Sequence, residues 1–324
     1  MKAILEPPTG TRALVSDLTD MTRNPRPVTE DDGSGIGLVL PDDAYFQYAW
    51  QTADGRLVPD PDAPETNRNV WYGNVSVIRG PEQRDDGLAL RAARVKPRGT
   101  LKRHRLESAA LGQVRRVNTY TPAGYTSTAE LPLILVQDGT AFQRIGLLPN
   151  ILEETLAEGG RPARLVFLEP ADRDSEYSFS AAYHRFVFEE LIPDLTELAG
   201  PYDELFLLGA SLGGLVSTTL ALERPQLFAG VATLSGAFLG SPADPDPYVS
   251  EGEWLLGRIT AGAELPERWF VGTGTLEWLH RPNERVADAL RDRGVTSTYL
   301  ELSAGHNWVN WRNMLARALA ALLG

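Results

Sequence analysis

The chain has 324 residues, 43% hydrophobic and 23% charged, with a formal charge of −12. That acidity argues against a general affinity for nucleic acid or anionic membrane, and the absence of cysteine rules out disulfides and thiolate metal sites. No apolar run is long enough to span a bilayer, and Met1–Thr9 lacks the apolar core of a signal peptide, so the expected compartment is the cytoplasm.

The first hundred residues are rich in Asp, Pro and Gly, with short apolar runs between turn signals. Thr11–Ser16, Ile36–Leu40, Tyr45–Trp50 and Trp71–Ile78 are strand candidates, and their spacing predicts a small β-sandwich over residues 1–100. Arg79–Gly87 has no period and reads as a linker. From residue 101 the texture changes. Strand-length runs at Lys102–Ser108, Val114–Tyr120, Leu131–Val136, Ala163–Leu168, Glu204–Leu208, Gly230–Leu234, Trp269–Gly272 and Thr298–Leu302 alternate with helix-length stretches. The helices are expected near 145–158, 180–199, 213–223, 283–293 and 309–323. Such alternation predicts an α/β domain over residues 101–324, with a mostly parallel sheet covered by helices on both faces.

Gly209-Ala-Ser211-Leu-Gly213 fits the pattern G-x-S-x-G. The pentapeptide alone is a weak signal, and a tight turn that happens to contain Ser would look the same. Its setting is stronger, because an apolar strand leads into it and a helix follows, as a nucleophile elbow requires. Ser211 is then the candidate nucleophile, and the Leu212 N–H supplies half of an oxyanion hole. A base must come from His104, His184, His280 or His306. His184 lies mid-helix and reads as structural, and His104 precedes the apolar strands. His306 has the best setting, in a loop after the last strand, where parallel strands gather their carboxyl ends; the bland alternative is a helix-capping loop residue. For the orienting acid, Glu277 follows the preceding strand, with Asp244 and Asp246 as alternates and Asp288 expected to face solvent. Gly139 or Thr140, after the first strongly buried strand, is the candidate for the second oxyanion donor, against an ordinary Asp-Gly turn.

Taken together, these residues resemble the enterochelin esterase family of α/β-hydrolases. The resemblance is carried by Leu111–Val117 with Tyr120-Thr-Pro122, Gln137-Asp-Gly139, Arg173-Asp-Ser-Glu176, Phe188–Pro193, Gly209–Gly214 and Gly305-His-Asn-Trp308 with Trp311. Asn307 stands where that family usually has Asp. The N-terminal region resembles the family's early-set, Ig-like sandwich, with Leu57–Asp62 similar to the Asp-Pro turn of carbohydrate-binding modules. The resemblance implies a Ser/His/acid esterase that needs no metal or organic cofactor, and it supports Glu277 as the acid.

The leading expectation is therefore a serine hydrolase that cleaves a small-molecule carboxylic ester through an acyl-enzyme. Acyl transfer on the same fold and a non-catalytic binding protein are the alternatives. Arg144, Arg173, Arg281 and Trp308 are candidate substrate contacts, with structural salt bridges as the rival reading of the three arginines. A homodimer stays open.

Overall fold

Turn-punctuated apolar runs fold into antiparallel strands in the N-terminal region of the computed structural model, which describes residues 1–246 and 248–324. The strands are β1 (Lys2–Leu5), β2 (Thr11–Ser16), β3 (Arg26–Pro27), β4 (Ile36–Val39), β5 (Tyr45–Thr52), β6 (Leu57–Val58), β7 (Glu65–Asn69) and β8 (Gly73–Arg79). One sheet runs β3-β2-β5-β8-β7 with β6 on β5, and β1 pairs with β4 in a second. Leu5 and Ile36 from the small sheet join Leu14, Phe46, Tyr48, Trp50 and Ile78 from the large one in a single buried cluster.

The strand period of two divides β5 between two tasks. Its even-numbered residues Phe46, Tyr48 and Trp50 fill that cluster. The odd-numbered Tyr45 packs instead with Val77, Ala304 and Val309, and its N–H donates to the Ser303 carbonyl at 2.8 Å. The first compact unit accordingly comprises Met1–Asp85 with Thr273–His280 and Glu301–Asn310.

The second unit comprises Asp86–Gly272, Arg281–Leu300 and Trp311–Gly324. After α1 (Gly87–Ala92), β9 (Thr100–Ser108) and β10 (Gln113–Thr121), strands and helices alternate. They are β11 (Leu133–Val136), α2 (Gly139–Arg144), α3 (Leu148–Ala157), β12 (Arg164–Leu168), α4 (Arg173–Tyr177), α5 (Ala181–Arg185), α6 (Ile192–Ala199), β13 (Leu205–Ala210), α7 (Leu212–Glu223), β14 (Gly230–Leu234) and α8 (Trp254–Thr260). The last four are β15 (Arg268–Gly274), α9 (His280–Asp292), β16 (Thr296–Leu302) and α10 (Trp308–Leu323).

Eight strands form one mixed sheet in the order β16-β15-β14-β13-β11-β12-β10-β9. β11 to β15 pair in parallel, whereas β9 and β10 enter antiparallel. Every residue of β11, β12, β13 and β14 is buried, as expected of parallel strands covered on both faces. β9, at the edge, keeps exposed Lys102, Arg103 and Arg105, charges that discourage edge-to-edge pairing. This is an α/β-hydrolase sheet with a small antiparallel N-terminal domain. No helix among the described residues is long and apolar enough to cross a membrane.

Two elements differ from expectation for identifiable reasons. The helix expected over 180–199 is divided into α5 and α6 by a π-type stretch, Phe186–Leu191. Pro193 lacks an N–H and its ring crowds the carbonyl four residues earlier, so a regular turn cannot form there. The strand expected from Trp71 starts at Gly73, because Asn69 Oδ1 accepts the N–H groups of Trp71 and Tyr72 at 2.9 and 3.2 Å and holds both in a turn.

Candidate active site

Ser211 sits between the buried strand β13 and α7 with φ 56° and ψ −122°. Few side chains tolerate this region, and it persists only where the surroundings over-determine it. They do so here: the Ser211 N–H donates to the Leu234 carbonyl at 2.9 Å, and its own carbonyl accepts from Gly214 and Ala237 at 2.9 and 3.0 Å. Gly209 ahead of it is a steric necessity, and Gly214 after it is closely packed. A Cβ on Gly209 would lie 2.1 Å from the Gly213 carbonyl oxygen, and one on Gly214 would lie 3.0 Å from Gly236 Cα. Leu212 begins α7, so its N–H is among those a helix leaves without an intrahelical acceptor.

The Gln137–Thr140 loop is clamped beside this elbow. Arg173 donates to both carboxylate oxygens of Asp138, at 2.8 and 2.9 Å, and to the Ala210 carbonyl at 3.2 Å. The Asp138 N–H donates to Tyr177 Oη at 3.0 Å. A Cβ on Gly213 would meet Asp138 Oδ2 at 3.0 Å, which places the loop against the start of α7. Burial works against the Arg173 charge, but Asp138 outweighs it and raises the guanidinium pKa. Arg173, a candidate substrate contact with a structural salt bridge as its rival reading, forms that salt bridge and joins the Asp138 loop to the end of β13. The Thr140 N–H donates to Glu169 Oε2 at 2.8 Å and is engaged there. Gly139 packs its backbone on β12, where a Cβ would lie 2.6 Å from Phe167 Cβ. Arg144 is exposed at the end of α2, and Arg281 is exposed and pairs with Glu284 at 2.6 Å.

His306 and Glu277 are brought together in the first unit, with His306 Nδ1 and Glu277 Oε2 2.5 Å apart. The other carboxylate oxygen of Glu277 accepts from Thr273 Oγ1 at 2.9 Å and the Gly274 N–H at 2.7 Å. A carboxylate can only accept, so Nδ1 carries the proton and Nε2 is left as the basic nitrogen. Burial separates this pair from the other His–Glu pairs. The Glu277 side chain is 0% exposed, against 47% for Glu223 beside His184 and 37% for Glu301 beside His280. His104 bonds to Thr119 Oγ1 at 3.0 Å. The alternate acids Asp244 and Asp246 are exposed, and Asp288 is half-buried and pairs with Arg291. Asn307 Oδ1 accepts the Val309 and Asn310 N–H groups at 3.1 Å each, capping α10. Trp308 is buried at 8% exposure.

Three further residues near His306 escaped sequence reasoning. Asp17 is buried against Gly305, where a Cβ would approach its Cγ to 2.0 Å, and it accepts the Gln47 N–H at 2.7 Å. Burial pushes its carboxyl up to about 8, opposed by the Gln47 bond and assisted by the charge of Glu277. Asp20 is raised to about 6, chiefly by burial, with Arg23 and His306 opposing the shift. The Trp71 ring centroid lies 6.5 Å from that of His306, with 31° between the planes. No local pattern ties residues near positions 17 to 71 to a loop at the other end of the chain. Among the described residues, no cluster of three or more His, Asp or Glu side chains is placed to hold a metal ion.

Comparison with known proteins places residues 108–322 within the family model described as Putative esterase. The chain is 23% identical to the uncharacterized protein YjcH of Bacillus subtilis, covering 69% of this chain and 98% of that one. It is 32% identical to the iron(III) enterobactin esterase of Dickeya dadantii over 41% of this chain, and the match spans about a third (32%) of that relative. The ferric enterobactin esterase structure from Salmonella typhimurium superposes with a TM-score of 0.77 at 18% identity, covering 99% of this chain and 92% of that one, a likeness of fold.

Proposed function

The chain belongs to the Putative esterase family and is a carboxylic ester hydrolase, and we propose that it works through an acyl-enzyme on Ser211, with His306 as base and Glu277 as its orienting acid. The observation that carries this reading is the backbone of Ser211, held at φ 56° on a strand-to-helix elbow in which Gly209 leaves no room for a Cβ. The pairing of Ser211 with His306 is supported by topology. Ser211, Glu277 and His306 each follow the carboxyl end of a strand in one sheet, where active-site loops of parallel sheets gather.

In the first step Ser211 Oγ attacks the ester carbonyl carbon while its proton passes to His306 Nε2. The carbonyl oxygen becomes an oxyanion held by the N–H groups of Leu212 and Gly139. The bond to the alcohol oxygen breaks, and His306 returns the proton to that oxygen. A water then attacks the acyl carbon, gives its proton to His306, and the acid leaves as Ser211 recovers its proton. The buried Glu277 carboxylate stabilises the imidazolium formed in each half-reaction.

The test is turnover of p-nitrophenyl acetate by wild type, Ser211→Ala and His306→Ala, with labelling by a fluorophosphonate. Both variants should fold with an unchanged thermal midpoint and lose at least about a thousandfold in kcat, and Ser211→Ala should no longer be labelled. Undiminished turnover by purified Ser211→Ala would contradict the proposal.

A further inference from the structure

Trp71 is 48% exposed and lies against the imidazole of His306. A large apolar ring left half in solvent forgoes much of the gain that normally buries it. Nor is the position left to chance. Asn69 Oδ1 pins the Trp71 turn through two backbone N–H groups, while Asn69 Nδ2 donates to Gln47 Oε1 at 3.0 Å. The Gln47 N–H donates in turn to Asp17, and Asp17 is pressed against Gly305, the neighbour of His306. The ring and the histidine are thus registered on one buried polar network of Asn69, Gln47 and Asp17. Such a network fixes a contact surface more closely than a free loop would.

Resting on the triad reading above, we propose that Trp71 is a specificity residue that stacks on the leaving alcohol, selecting esters whose alcohol presents a flat, apolar ring face. The choice of the alcohol half over the acyl half follows from the chemistry of His306. Its Nδ1 is held by Glu277, so Nε2 is the nitrogen that returns a proton to the departing alcohol oxygen. A ring packed beside the imidazole therefore flanks the alcohol. Indole faces recognise aromatic rings by stacking and pyranose rings through their apolar C–H faces. The two sources share this chemistry and differ in their polar rim.

The experiment holds the acyl half constant as acetate and varies the alcohol. Ethyl acetate, 2-naphthylmethyl acetate and a methyl 6-O-acetyl-glucopyranoside are compared in wild type, Trp71→Ala and Trp71→Phe. The readout is kcat/KM for each ring ester relative to ethyl acetate, with kcat and KM separated. Wild type should favour a ring ester, and Trp71→Ala should lower that ratio about tenfold, mainly through KM, with Trp71→Phe restoring most of it. A fall confined to the naphthylmethyl or to the sugar ester identifies the source of the ring. An unchanged ratio overturns the inference, whether because all three esters fall together, as a structural role would produce, or because none falls. It would leave the esterase reading intact. Failure of folded wild type both to hydrolyse any of the three and to react with a fluorophosphonate overturns both.

Discussion

Replacing Glu277 by Gln is the sharpest probe of the proposed base. The side chain keeps its shape, and the structure dictates how the amide orients. The position of Oε1 receives two donors, Thr273 Oγ1 and the Gly274 N–H, at 2.9 and 2.7 Å. Only the amide oxygen can accept them, so the NH2 group must take the place of Oε2, 2.5 Å from His306 Nδ1. Two N–H groups cannot face each other at that distance. His306 must then present an unprotonated Nδ1 and carry its proton on Nε2, the nitrogen that should accept the proton of Ser211. The wrong tautomer and the lost charge together lower kcat by about ten-thousandfold, or about 5 kcal/mol of transition-state stabilisation. Steady-state kinetics on p-nitrophenyl acetate measure this, with circular dichroism and the thermal midpoint as controls for folding. A folded Glu277→Gln protein within tenfold of wild-type kcat would refute the assignment of Glu277 as the orienting acid.

Gly209→Ala should destabilise the elbow by about 3 kcal/mol, since the new Cβ would lie 2.1 Å from a backbone oxygen that cannot swing away. Thermal unfolding reads the change, and an unaltered midpoint would show that the turn relaxes freely. Asp17→Asn should alter how stability depends on pH. The folded-state pKa of Asp17 is raised to about 8, so its contribution is fully present below the ordinary carboxylate value and is lost as pH rises toward 8. The neutral Asn escapes that loss, so the variant should gain on wild type by a few kcal/mol between about pH 4 and 8. Urea titrations across that range test this, and a difference that stays constant with pH would mean that Asp17 is ionised in the folded protein throughout.

The chemistry-bearing signals that the sequence carried were local. Unbroken apolar runs at Leu133–Val136 and Leu205–Ala210 specify strands buried on both faces, because only a covered parallel sheet removes every residue of such a run from water. G-x-S-x-G after one of them marks an elbow, and the order of the loops singled out His306 and Glu277 from the remaining histidines and acids. Pro193 shows where local reading can fail, since the surrounding pattern reads as one helix and the ring divides it.

What tertiary structure alone decided is which groups are already engaged and which distant ones arrive. Backbone N–H groups look alike in sequence, so only the fold could show that Thr140 donates to Glu169. For Arg173, likewise, the sequence leaves a substrate contact and a salt bridge side by side, and only the fold shows Asp138 closing on it. The residues around His306 are the clearest case. Asp17 and Trp71 reach it because alternate residues of β5 face opposite ways, the even-numbered ones filling the sandwich while the N–H groups of Tyr45 and Gln47 donate to the Ser303 carbonyl and to Asp17. The sequence determines that alternation, but its meaning depends on what lies across the second face, and a pairing between opposite ends of the chain leaves no periodicity to read.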